Sequence, residues 1–84
     1  MTWRIPINNL ELEALRMSGA EQFCEIVRPH DGWRKVAEFA SFGDMIQAHG
    51  KIRNCTPEHG HRKAPYLSLC RKIAIINLGS ERDQ

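Results

Sequence analysis

Apolar and polar residues alternate at the start of the chain. From Thr2 to Ile7, Trp3, Ile5 and Ile7 fall on one face, with Thr2, Arg4 and Pro6 on the other. That period of two is the signature of a short strand. Pro6 has no N–H to give to a ladder, so the strand belongs at a sheet edge. Asn8 or Asn9 follows, placed to cap a helix through Leu10, Ala14, Leu15 and Met17, because an amide oxygen can accept the unpaired N–H groups of a first turn. Ser18-Gly19 ends or interrupts that helix.

Residues 21–40 fit two templates. Asp31-Gly32 is a hairpin turn signal, since glycine accepts positive φ. Phe23, Ile26, Val27, Trp33, Val36 and Phe39 on its flanks suit strands. Against this, Ser18-x-x-Glu21 fits a capping box, and Trp33, Val36, Ala37 and Ala40 match i, i+3, i+4, i+7. The turn and the aromatic content point to a hairpin, and the periodicity points to two helices. The hairpin is the expectation carried forward.

Ser41 can cap a helix over residues 42–52, with Asp44 in the first turn, where the helix dipole favours an anion. Pro57, Gly60 and Pro65 mark residues 54–65 as a loop, long for so small a chain. Tyr66 to Asn77 is rich in Leu and Ile and reads as a final buried strand, with a helix as alternative. Residues 78–84 read as a flexible polar tail. The pattern predicts one small α+β domain over residues 1–84, a short antiparallel sheet with two helices; a compact all-α domain is the alternative.

The chain has 84 residues, of which 42% are hydrophobic and 26% charged. Those are ordinary globular proportions. The start lacks an apolar leader run, and Ile73-Ala74-Ile75-Ile76 is far short of the ~20 residues a membrane span needs. The expectation is a cytoplasmic protein that does not meet a membrane. Cys24, Cys55 and Cys70 form an odd set without a C-x-x-C pair, so free thiols are expected rather than a disulfide framework.

Charge changes the picture more than composition does. Residues 1–50 carry five cations against seven anions, whereas residues 51–72 carry six cations against Glu58 alone. The net charge of +2 thus conceals a dipolar chain. Lys51, Arg53, Arg62, Lys63, Arg71 and Lys72 are the candidate partner-binding residues, with Tyr66 adding a hydrogen bond or a stacking face. Clustered cations attract phosphate or acidic protein surfaces. The plainer readings are helix C-terminal neutralisation by Lys51 and Arg53, solvation, or pairing with the acidic first half.

Other chemistry is weaker. Trp33 to His49 matches a helix-turn-helix only in part, with Ser41 where the turn glycine belongs and Gln47 at a core position. Cys55-x3-His59-x-His61-x8-Cys70 is a zinc-compatible donor set whose spacing fits no common finger, so no metal site is assigned and no cofactor is implied. No hydrolase, zinc-protease, P-loop or dinucleotide motif occurs. Glu11/Glu13 and Glu21/Glu25 read as solvated carboxylates, and Trp3 and Trp33 as core bulk. The sequence reads as a small non-catalytic binding protein whose basic C-terminal segment docks on an acidic partner, foremost nucleic acid. The alternative is a phage- or plasmid-type regulator or inhibitor that blocks a partner protein sterically. An exposed final strand would make Ile73–Ile76 a homodimer seam.

Overall fold

A computed structural model gives the order β1 (Trp3–Ile7), α1 (Asn9–Ser18), a 3₁₀ turn (Ala20–Phe23), β2 (Glu25–Val27), β3 (Lys35–Phe39), α2 (Phe42–Asn54) and α3 (Ala64–Arg82). The structure describes residues 2–29, 32, 34–56 and 62–82, with 77–82 as backbone only. The chain is a small α+β domain with a three-stranded antiparallel sheet ordered β1-β3-β2.

The alternation in β1 has the expected result. Ile5 and Ile7 are buried, and they pair across the sheet with Ala37 and Lys35 of β3. Trp3 is half-buried against the core and meets Phe42 edge-to-face, with ring centroids 6.0 Å apart. Arg4 faces the other way and its Nε donates to Glu38 Oε2 at 2.8 Å on β3. Pro6 lies on an edge strand, where its missing N–H removes no central ladder bond.

The ambiguity over residues 21–40 resolves as a hairpin. Glu25, Ile26 and Val27 pair with Glu38, Ala37 and Val36. Asp31 of the expected turn and Trp33 of its flank lie outside the described residues. Lys35–Phe39 is a strand, so the helix-turn-helix reading of Trp33 to His49 is wrong. Ala37 and Phe39 are fully buried. Period two thus governs at Val36 and Ala37, which also fitted a helix, because pairing on both sides satisfies the β3 backbone.

Both cap expectations hold. Asn8 caps α1, with its Oδ1 accepting from the Glu11 N–H at 2.8 Å and Glu11 Oε1 accepting from the Asn8 N–H at 3.0 Å. Ser41 Oγ accepts from the Asp44 N–H at 3.0 Å and starts α2. Gly19 closes α1 in the left-handed region at φ 84°. On α2, Met45, Ala48 and Ile52 form the buried i, i+3, i+7 stripe.

The last element departs from expectation. Residues 66–77 are helical, within α3, and the described residues hold three α-helices rather than two. Among its described side chains, Tyr66, Leu69 and Ile73 are buried, again at i, i+3, i+7. Pro65, read as part of the loop, sits in the first turn of α3, where no intrahelical N–H is needed. A homodimer seam along an Ile73–Ile76 strand edge is therefore ruled out: these residues form no strand, and Ile73 is in the core. The backbone helix continues to Arg82, across most of the stretch read as a tail. Among the described residues, no helix is long and apolar enough to cross a membrane.

Candidate docking groove

Helix α3 packs on β1 and α2 on β3, and these two helices leave a groove between them. Its volume is about 610 Å³. Arg53, Lys63, Tyr66 and Arg71 line it, so the fold brings four of the seven predicted binding residues to one place. The helical period explains the grouping. On α3 and the residue before it, Lys63, Leu67 and Arg71 succeed one another at intervals of four and share a face. Arg53 faces them from the last turn of α2.

The groove is apolar below and cationic at the rim. Ile52, Tyr66, Cys70 and Ala74 contribute to its walls. Leu67 is 56% exposed, although it is a large aliphatic side chain. Arg53, Lys63 and Arg71 are all exposed. Among the described residues, the ion pairs are Arg4–Glu38, Arg16–Glu21 and Lys72–Glu11, and none draws on the three rim cations.

Electrostatics inside the groove follow from this layout. Burial pushes the His49 imidazole below its usual value, and the Arg53 charge pushes it further down. Burial pushes the Cys70 thiol up, while Arg53 works against that shift without cancelling it. At neutral pH His49 is therefore largely uncharged and Cys70 is a thiol rather than an activated thiolate.

The other three predicted residues are placed differently. Lys51 lines a neighbouring groove with Ser18, Ile46 and Asn54, and the two grooves share Cys55. Arg62 is exposed on the segment entering α3 and does not line the main groove. Lys72 is the clear departure. Successive helical residues point about 100° apart, so Arg71 faces the groove while Lys72 turns toward α1. Its Nζ donates to Glu11 Oε1 and to the Pro6 carbonyl, each at 2.7 Å.

Tyr66 was expected to offer a stacking face or a hydrogen bond to a partner. It is 5% exposed and serves as part of the groove floor and the core, which closes its ring to base stacking. Glu11, read as solvated, is 1% exposed and also accepts from Ser68 Oγ at 2.6 Å. The spacing Asn8-x-x-Glu11 was the available signal, since a capping box folds the acid back onto the chain. Glu13 is exposed, as expected. Leu67, His49 and Ile52 were missed as groove residues. Reading 66–77 as a helix would have put Leu67 between Lys63 and Arg71.

Cys55 and Cys70 both line the groove. His59 and His61 of the zinc-compatible set lie outside the described residues. Among the described residues, no three His, Cys, Asp or Glu side chains meet as a metal-holding group. Comparison with family models, curated proteins and solved structures gives no match to this chain.

Proposed function

We propose that the protein is a non-catalytic binding module that docks an acidic partner in the groove between α2 and α3. The observation that carries this reading is the groove itself: Arg53, Lys63 and Arg71 stand on its rim outside every ion pair of the described residues. Cations left solvated on a concave surface raise the local concentration of anionic groups and steer them in. Lys51 and Arg62 extend the positive field on either side. The three free thiols fit a reducing cytoplasm.

Two kinds of acidic partner fit the rim. A nucleic acid would meet it through phosphates, with no base stacked on the buried Tyr66. A partner protein would meet both the rim and the apolar floor, as a regulator or inhibitor must when it covers a surface.

The test is a titration with duplex DNA, single-stranded RNA and poly-L-glutamate at about 50 and 200 mM salt. It is run on the wild type and on an Arg53→Ala/Lys63→Ala/Arg71→Ala variant checked for an unchanged melting temperature. Three phosphate contacts on duplex DNA predict a roughly 40-fold loss over that salt range. Salt-sensitive binding to any of these polyanions, weakened at least tenfold in the variant, supports the reading. No binding at low salt, or equal binding by the variant, overturns it.

A further inference from the structure

Leu67 is the least expected side chain in the groove. It is 56% exposed, and Lys63 and Arg71 flank it one turn away on each side. Ile75 extends the same row by one more turn and is 62% exposed. Lys63, Leu67, Arg71 and Ile75 thus form an i, i+4 ridge in which cations and aliphatic side chains alternate. Solvated single apolar residues are common. A ridge alternating in this way beside a groove with an apolar floor is a more specific pattern.

We infer that the occupant of the α2/α3 groove is an amphipathic acidic helix of a partner protein. The inference rests on the docking reading above and narrows it. Phosphate backbones would satisfy Arg53, Lys63 and Arg71 but would leave Leu67 and Ala74 facing a strongly hydrated chain. An amphipathic helix uses both halves of the surface. Its aliphatic anchors at i, i+4 and i+7 cover Leu67 and the floor, and its flanking Asp or Glu side chains reach the rim cations. Ridges of i±4 residues are also the rows that interlock when two helices pack. From Lys63 to Ala74 the groove follows α3 for about 16 Å, the length of a three-turn helix. Guanidinium groups at Arg53 and Arg71 suit paired hydrogen bonds to carboxylates.

Synthetic peptides test this on the full chain by amide chemical-shift titration. The first is a helix with Leu at i, i+4 and i+7 and Glu at its flanks. The second replaces each Leu with Ser at the same charge, and the third replaces each Glu with Lys. Duplex DNA and single-stranded RNA are run beside them. The expected result is binding of the first peptide with shifts at Arg53, Leu67, Arg71 and Ile75, at least tenfold weaker binding of the second, and none of the third. Leu67→Ala, at an exposed position and therefore without effect on folding, should weaken the first peptide roughly tenfold. Equal binding of the Leu and Ser peptides overturns this inference and leaves acidic docking standing. Nucleic acid that binds more tightly and displaces the peptide does the same. Self-association by sedimentation that masks these shifts makes a second copy the occupant and also overturns it. Silence from every probe overturns both readings.

Discussion

Lys72 Nζ sits 2.7 Å from Glu11 Oε1, across 61 residues of chain, and fastens α3 to the capping box of α1. The same ammonium takes the Pro6 carbonyl of the edge strand β1 at 2.7 Å. One side chain therefore joins the sheet, the first helix and the last. Its partner carboxylate is 1% exposed, so removing the cation would leave a buried charge with only Ser68 Oγ and the Asn8 N–H as donors. Lys72→Met should cost about 2–4 kcal/mol; the upper end for breaking a buried pair is not reached, because the Lys72 side chain is one-third exposed. Urea unfolding measures it. Acidic-peptide binding, scaled to the folded fraction, should be unchanged, which separates Lys72 from its neighbour Arg71.

Acid should act on the same cluster. Burial alone would raise the Glu11 pKa, but hydrogen bonds from Lys72, Ser68 and the Asn8 backbone, together with the Lys72 charge, outweigh it and hold the group below its usual value. A folded-state value below the unfolded one means that Glu11 adds stability above the unfolded pKa of about 4.3. That contribution fades as pH falls through the lower folded value. The urea midpoint should drop between about pH 5 and 3, and the drop should be smaller in Glu11→Gln. An equal drop in both would assign acid sensitivity to other carboxylates.

The parts of this fold set by local chemistry were legible in the sequence. Pro6 marked an edge, Asn8 and Ser41 marked helix starts, Gly19 marked a helix end, and the alternation at Trp3, Ile5 and Ile7 marked a buried face. Residues 66–77 were not, because Leu and Ile suit strands and buried helices alike. The stripe Tyr66, Leu69 and Ile73 held the deciding period, and twelve residues exceed an ordinary strand. The misreading spread to the site. As a strand, 66–77 would put Arg71 and Lys72 on opposite faces without coupling either to Arg53; as a helix, it places Arg71 in the groove and Lys72 on Glu11. The charge count found the cations, but only the tertiary fold could show which were already engaged.

Two glycines should respond in opposite directions to the same substitution. Gly19 holds φ 84°, and a Cβ added there would meet nothing within 4 Å. The cost of Gly19→Ala is therefore conformational, about 1–2 kcal/mol for a left-handed alanine. Gly50 lies inside α2, and a Cβ there also meets nothing within 4 Å. Gly50→Ala should stabilise by about 0.5–1 kcal/mol through lower chain entropy in the unfolded state. Thermal unfolding of the two variants reads both signs at once.

Thiol reactivity reports on the groove without a mutation. Cys24 lies outside it, lining a separate cavity with Phe23, Glu25 and Glu38, and burial followed by the Glu21 charge pushes its thiol up to about 11. At pH 8 its thiolate fraction is then about 0.1%, against roughly a tenth for an unshifted thiol at 9.0. Iodoacetamide should label Cys24 roughly 100-fold more slowly in the folded protein than in urea, as the ratio of those fractions implies. Burial also slows Cys70, but Cys70 and Cys55 both line the docking groove. Saturation with the Leu/Glu peptide should therefore slow labelling of Cys55 and Cys70 further, while the Cys24 rate stays fixed. Peptide-level mass spectrometry resolves the three sites. Protection that includes Cys24 would mean global stabilisation on binding, and protection of Cys24 alone would place the peptide outside the α2/α3 groove.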